Sequence, residues 1–448
     1  MKLQRDSKVY VVCPGNIHTG GPESLHQLAS QLISFGVETY MVYSALADFF
    51  NPDDPVHHAY KKYHVPYTTL VEDHAKNIMI VPETSTVDLF SGKKIRHVLW
   101  WMSVNYYLTN IMKIMEHFLK DPLAAPVRKF FTFYDEDKNL EHWFKSEYAR
   151  QFLEVNGIPA KKMRHVESYM SQTFLSRAEK IDLSAKKNLV AFNPRKGFEI
   201  TQQLMNAAPD IDWRPIENMT PAQVQELLAQ AKIYIDFGTH PGKDRLPREA
   251  TISKCVVITG RRGAAANDVD YNIPAEFKFN DETHPLQVIE KILEVFENFT
   301  GAFAAQKNFR DKELNAKKNF AEQIAAAFEI KNFPPESVAL VQGVGEKSYL
   351  IDQVLLKTKN FVTKFIVDDA AAALTDTTSE KFIRREQNRN FLRFDKEPIE
   401  IISRDDAKFL YLEGRIKKFA LFEPIAAEFD DVKKFFEPNF SDVLIFSR

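Results

Sequence analysis

The chain is poor in cysteine, glycine and net charge, and it has no long apolar run; each shortage excludes something. There are 2 cysteines, Cys13 and Cys255, each at the edge of an apolar run, so no disulfide framework and no Cys/His zinc spacing can be drawn. Both read as reduced core thiols. A formal net charge of −2 excludes a dedicated nucleic-acid binder, which would carry a basic field. No stretch approaches the roughly 18 apolar residues of a membrane span, so any membrane association is expected to be peripheral, at the inner face of the cell membrane. The run Val9–Cys13 behind Lys2 and Arg5 is far shorter than a signal-peptide core, and a cytoplasmic location is the expectation.

Glycine is scarce, and its distribution is informative. Of 15 glycines, seven fall at positions 15, 20, 21, 238, 242, 260 and 263. Such clustering marks places where backbone must bend or meet a ligand.

At 448 residues the chain is too long for one core, and an apolar fraction of 44% with 27% charge is ordinary for a folded protein. Lys8–Cys13 reads as a strand, PGNIHTGGPES as a loop and LHQLASQLISFG as a helix, with Val37–Tyr43 a second strand. This is the opening of a doubly wound sheet, in which Gly20 and Gly21 would let backbone approach a phosphate, with φ > 0 allowed. Asn77–Val81, His97–Trp101, Phe130–Tyr134 and Arg164–Val166 are further strand expectations, with a helix over Ser146–Val155. The pattern restarts at LVAFNPRKGFEITQQLM, where strand Asn188–Phe192 meets a basic turn and then a helix. Trp213–Ile216, Ile233–Phe237, Val256–Thr259 and Phe277–Phe279 complete a second set of strands, with helices at Pro221–Ala231, Pro285–Phe299 and Phe309–Ile330. Beyond residue 330, Ser337–Val341, Phe361–Val367, Ile399–Ser403, Lys417–Phe422 and Asp442–Phe446 read as strands, with helices at Tyr349–Leu356 and Ala426–Phe436. The expected domains are therefore residues 1–180, residues 181–330 and a small α/β domain at 331–448 of unassigned role.

The densest chemistry lies between Ala231 and Asp268, where Gly238, His240, Gly242, Lys243, Asp244, Arg245, Arg248 and Glu249 crowd a loop behind a strand. In open α/β sheets, ligands bind at the carboxyl ends of strands. A nucleotide sugar asks for cations and backbone N–H groups at its diphosphate and a carboxylate at its ribose diol. Arg195, Lys196, Lys243 and Arg245, with Gly242, are candidates for the first, and Glu249 for the second. Cations on a nucleoside diphosphate leaving group stabilise charge that grows in the transition state, which makes Lys243 and Arg245 catalytic candidates. Trp101, Ser103, Asn105 and Tyr106, just past a strand, combine stacking faces with hydroxyl and amide groups and are the acceptor-site candidates.

Competing motifs fail on spacing or composition. Gly238-Thr-His-Pro-Gly242-Lys243 is one residue short of a Walker A loop, and Asp244 stands where Ser or Thr is required. Gly343-Val-Gly345 resembles a dinucleotide fingerprint that lacks its third glycine. Asp135-Glu-Asp137 and Asp268-Val-Asp270 would suit a metal-dependent transferase but read as surface acids, and His57 and His58 have no third ligand. No metal and no cofactor are expected.

The segments GGPESLHQLASQL, SEYARQFLEVNGI, FNPRKG and DFGTHPGKDRLPREA resemble the GT-B glycosyltransferases, in particular bacterial enzymes of capsule and other surface polysaccharides. The resemblance spans roughly residues 8–330. It implies two Rossmann-like domains facing a cleft, the second holding the nucleotide sugar and the first most of the acceptor. It places Arg195 and Lys196 at the diphosphate and Glu249 at the ribose. Many retaining members carry a second Glu eight residues before the last one, and here that residue is Pro241. An inverting reaction requires a base near the acceptor hydroxyl, for which His18 and Glu23 are the candidates. The expectation is transfer from a nucleotide-diphosphate sugar to a glycan or lipid-linked acceptor. A nucleotide-sugar epimerase and a non-catalytic glycan-binding scaffold are the alternatives.

Overall fold

In the computed structural model the described residues are 1–4, 6–45, 49–120, 130–281, 283–330, 337–341, 362–367, 373, 383–392, 400–413, 415–416, 418–422 and 443–446. The chain packs as two units, Met1–Lys2 with Asp73–Glu329 and Leu3–Glu72 with Ile330–Arg448.

The second of these begins with β1 (Lys8–Pro14), α1 (Gly20–Ser34), β2 (Glu38–Ser44) and the single turn α2 (His58–Lys61). β1 and β2 are parallel, Val11 opposite Met41, and β1 is buried over nearly its whole length, as a continuous β-branched run demands.

The larger unit contains two parallel α/β sheets. The first has β3 (Ile78–Pro82), β4 (Arg96–Trp101), β5 (Leu140–Phe144) and β6 (Met163–His165) side by side, with α3 (Val104–Lys120) and α4 (Glu147–Val155) between them in the chain. Here one expectation is corrected. Phe130–Tyr134 is no strand but leads into a short 3-10 turn at Phe133–Asp135, and the strand is Leu140–Phe144. The aromatic run of Phe130, Phe131 and Phe133 is apolar because it packs around Trp101 and Tyr107, a side-chain role that periodicity reads as a strand.

After α5 (Gln172–Glu179), the second sheet follows the predicted restart. It contains β7 (Lys187–Phe192), α6 (Phe198–Ala207), β8 (Asp212–Pro215), α7 (Pro221–Gln230), β9 (Ala231–Asp236), α8 (Arg245–Ile252), β10 (Val256–Gly260) and β11 (Lys278–Phe279). Its order is β11-β10-β9-β7-β8, all parallel. Ile233, Tyr234, Ile235, Val256, Val257 and Ile258 form the centre of its core. α7 starts on a Thr220/Gln223 capping box with Pro221 in its first turn, a local signal that suffices to set a helix start. Helices α9 (Pro285–Glu297), α10 (Phe299–Ala305), α11 (Lys307–Leu314) and α12 (Ala316–Ala327) close the unit; the single helix expected over Phe309–Ile330 is broken at Asn315. These parallel sheets with flanking helices are the Rossmann-like α/β architecture that the sequence predicts.

The C-terminal part of the other unit holds β12 (Ser337–Val341), β13 (Val362–Val367), β14 (Ile383–Glu386), β15 (Arg389–Leu392), β16 (Glu400–Ile402), β17 (Lys418–Phe422) and β18 (Val443–Phe446) in the order β14-β15-β16-β13-β12-β17-β18. The β14/β15 hairpin is antiparallel and absent from the sequence reading. The fingerprint at Gly343 and Gly345 lies outside the described residues, as do the helices expected at 349–356 and 426–436.

Within this unit a buried ion cluster joins the segment after α2 to the C-terminal sheet. His64 Nδ1 is 2.8 Å from Glu400 Oε1 and its Nε2 is 3.3 Å from Asp406 Oδ2, while Arg389 reaches Glu400 at 3.2 Å. Burial opposes a charged imidazole, but Glu400 and Asp406 outweigh it and raise the His64 pKa to about 8. A pKa raised above the ordinary histidine value stabilises the fold in the protonated state. That stabilisation, about 2 kcal/mol, is full below the unfolded histidine pKa and is lost as pH rises through about 8. The stability difference between the wild type and His64→Asn, measured by urea denaturation, is therefore expected to shrink from pH 6 to pH 9. Asn tolerates the left-handed φ of 46° at this position. An unchanged difference would mean that the ring is not charged.

Candidate functional site

The carboxyl ends of β7 and β9 are neighbours, and their loops are pressed together at two glycines. Gly197 has φ 59°, and a Cβ there would lie 2.3 Å from the Phe237 carbonyl carbon; no other residue type fits. Gly238 is similarly tight, its would-be Cβ 2.9 Å from the Cβ of Lys196. Between them they bring the predicted basic turn onto the predicted loop.

Within that seam, the Arg195 side chain is exposed while the Arg195 backbone N–H donates to Asn193 Oδ1 at 3.0 Å, so the turn is tight and α6 starts directly behind it. Lys196 Nζ is 2.8 Å from Asp244 Oδ2, the N-cap residue of α8, whose side chain makes no cap. Burial opposes the Lys196 charge, but Asp244 more than offsets it and its pKa is raised. Arg245 is 39% exposed and its Nε lies 2.5 Å from Glu249 Oε1. α8 begins at Arg245, and Glu249 is in the middle of it, held by the arginine one turn earlier.

Lys243 departs from its expected role. Its ammonium is 1% exposed and lies 2.7 Å from Glu167 and 2.9 Å from Glu313. Arg248 reaches Glu313 at 2.6 Å and donates to Ser168 Oγ and carbonyl at 3.1 and 2.6 Å. This correction has a simple cause. The Lys243 side chain meets the carboxylates of Glu167, just past β6, and Glu313, on α11, before it meets solvent. Lys243 holds Glu167 well below the usual carboxylate range against the effect of burial, and Glu313 is lowered by Arg248 and Lys243.

Gly242 sets the neighbouring contact. A Cβ on it would lie 2.6 Å from the Met102 carbonyl oxygen, and the Pro241 carbonyl accepts the Val104 N–H at 3.2 Å. The loop after β9 is thus docked on the start of α3. Gly242→Ala is expected to cost roughly 1–3 kcal/mol through forced backbone displacement. Gly20→Ala, with nothing within 4 Å of the added Cβ, is expected to stay within about 0.5 kcal/mol. Paired melting curves test both, and equal midpoints would refute the contrast.

The acceptor candidates divide. Trp101 is wholly buried, its Nε1 donating to His142 Nδ1 at 2.9 Å and its ring stacked on Phe133 at 5.7 Å. It is a core residue, and its assignment to a sugar site is corrected: β4 ends inside the aromatic cluster rather than at the surface. Ser103 is buried, Asn105 accepts from the Tyr148 hydroxyl at 3.4 Å, and Tyr106 is 62% exposed. In the other unit, Gly20 and Gly21 are the first residues of α1 and neither has the positive φ that was allowed for them. His18 is exposed and stacked on His57 at 4.8 Å; Glu23 accepts from Tyr63 at 3.4 Å.

Sequence reasoning missed Glu83, Lys145, Glu167 and Glu313. Burial pushes the Glu83 carboxyl up to about 7 although it accepts the Met102 N–H at 3.0 Å. Burial, with Arg248 and Lys243 nearby, pushes Lys145 down to about 7. Glu83, Lys145 and Glu167 all follow the carboxyl ends of parallel strands, a positional signal that could have found them; Glu313, in the last turn of α11, carries none. The acidic tripeptides serve the fold, and Asp270 is buried, not the surface acid expected: Asp135 accepts from Thr132, and Asp270 accepts the Glu147 and Tyr148 N–H groups at 2.8 and 3.0 Å, capping α4. Asp236, His240 and Asp244 place ligand-capable atoms within 4.8 Å of one another, a grouping that could hold a cation. Asp236 already accepts from the Tyr234 hydroxyl and the Gly238 N–H, and Lys196 already supplies positive charge at Asp244. No described helix is long and apolar enough to cross a membrane.

No family model and no curated protein matches the chain. Among solved structures it is similar to Anabaena HepE in complex with UDP-glucose, at 11% identity over 71% of this chain and 98% of that one, with a TM-score of 0.47. It is similar also to sucrose-phosphate synthase from Thermosynechococcus elongatus, at 11% identity over 72% and 98%, TM-score 0.49. A glycosyltransferase from Rickettsia africae matches at 12% identity over 73% and 100%, TM-score 0.43.

Proposed function

We propose that this chain is a glycosyltransferase that moves a sugar from a nucleoside-diphosphate sugar to a growing glycan, with a cell-surface polysaccharide as the acceptor class. The observation that carries the reading is the cradle at two adjacent strand ends: Arg195, Lys196 and the N-terminus of α6 behind β7, with Arg245 and Glu249 on α8 behind β9. The helix N-terminus and three cations match a diphosphate, whose charge grows as it leaves. Glu249, oriented by Arg245, suits a ribose diol. The same cations neutralise the diphosphate without a metal. Of the two base candidates, His18 presents the exposed side chain and is the one to vary first.

A thermal-shift screen of nucleotide sugars, followed by calorimetry and product analysis, tests this. A ligand that binds only the folded state raises the melting midpoint. Midpoint shifts with a nucleotide sugar, and release of the nucleoside diphosphate only when an acceptor is present, are expected. Donor conversion without acceptor would replace the reading with an epimerase, and absence of any nucleotide binding with a scaffold.

A further inference from the structure

His240 lies in the left-handed region, φ 41°, in the loop behind β9, and is fully buried. A histidine tolerates that conformation only when its surroundings hold it there. Its carbonyl accepts the Ala264 N–H at 2.9 Å, and its ring meets Tyr271 edge-on at 5.2 Å. Nε2 is 3.2 Å from the Asp236 carbonyl and 3.5 Å from its Oδ1; Nδ1 is 3.5 Å from Asp244 Oδ2 and 3.3 Å from the Tyr271 hydroxyl. Each ring nitrogen therefore faces a carboxylate oxygen, and only the doubly protonated ring suits both. Burial opposes that charge, but Asp244 and Asp236 outweigh it and raise the His240 pKa.

From the core outward the groups alternate in sign: Asp236, His240, Asp244, Lys196. Asp236 is fixed at the inner end by the Tyr234 hydroxyl and the Gly238 N–H, each at 2.9 Å. Asp244, 17% exposed, is fixed between His240 and Lys196. At the outer end the Lys196 ammonium, on a stem with four rotatable bonds, is held beside the N-terminus of α6.

We propose that His240 and Asp244 are positioning residues for Lys196, holding its ammonium where the diphosphate of a donor arrives, so that the cation meets the leaving group already oriented. The proposal rests on the nucleotide-sugar reading above. It predicts an effect opposite to simple electrostatics: removing the Asp244 charge makes the cradle more positive, yet weakens diphosphate binding because Lys196 is released.

A double-mutant cycle on UDP affinity, by calorimetry of the full chain, tests it. Lys196→Met is expected to weaken UDP about 10- to 100-fold, the range of a hydrogen-bonded charge. Asp244→Asn is expected to weaken it about 3- to 10-fold, and the double variant to be no weaker than Lys196→Met, because both changes remove one device. Tighter UDP binding by Asp244→Asn, or losses that multiply in the double variant, would overturn the proposal. His240→Asn, which tolerates the left-handed backbone, is expected to follow Asp244→Asn; Asp244→Asn carries the test if the buried variant does not fold. The Lys196 ammonium is followed separately by titrating ¹⁵N-lysine-labelled protein without ligand, where Asp244→Asn should lower its pKa. An unmoved Lys196 titration overturns the proposal even if UDP binds. Failure of the wild type to bind UDP, GDP or ADP defeats the nucleotide reading alone and leaves the clamp to the titration.

Discussion

Lys243→Met is expected to destabilise the protein by about 3–5 kcal/mol, the usual effect of removing one partner from a buried ion cluster. Lys243, Arg248, Glu167 and Glu313 balance two positive against two negative charges in a nearly solvent-free site. Methionine fills the volume of the lysine stem, so the loss isolates charge from packing. Glu313 would keep Arg248, while Glu167 would keep only His165 at 3.1 Å and Lys312 at 3.6 Å among the ion pairs described. The sign with pH follows. Glu167 is held well below the usual carboxylate range, and loss of Lys243 raises it. The variant can then relieve its buried charge by taking up a proton, so its deficit should be greatest near pH 8 and shrink towards pH 5. At neutral pH a midpoint fall on the order of 10 °C is expected for a unit of this size. A stable variant that had lost nucleotide affinity would instead place Lys243 on the diphosphate, where the sequence first put it.

The second large effect is on turnover. Lys196→Met is expected to lower kcat roughly 100-fold, as removal of one preorganised donor to developing negative charge does. Its ammonium stands at the strand end where the two basic loops meet, locked by Asp244. Lys196→Arg keeps the charge but changes its geometry, and partial recovery is expected. The readout is initial rate with a saturating nucleotide sugar and acceptor. A rise in KM alone, or no change with melting unaffected, would remove Lys196 from the chemistry. Arg195, exposed on the same turn, offers the milder comparison.

How far the sequence reaches can be judged at particular residues. β7, β9, β10 and α7 are legible because buried parallel strands read as short β-branched runs and α7 carries its own capping box. Phe130–Tyr134 misleads because an aromatic cluster and a strand share one composition. Trp101 misleads for the same reason: an indole one residue from a polar stretch looks accessible until the neighbouring aromatic rings are placed around it. The glycine supply was read as ligand approach, and at Gly242 the close partner proves to be the Met102 carbonyl.

The sequence by itself determined that the chain alternates strands and helices, that the pattern restarts near Asn188, and that cations gather behind two strands of the second sheet. Those are local properties, set by propensity, periodicity and residue type. Only the tertiary structure decided which cations are available. Lys243 and Lys196 are alike in type and in setting, each beside a loop glycine behind a strand, yet one is neutralised by Glu167 and Glu313 from distant parts of the chain while the other remains 36% exposed. The physical reason is that a charge is disposed of by whatever carboxylate lies within a few ångströms of it. Residues 76 and 70 positions away in sequence supply those carboxylates, and no local pattern encodes their approach.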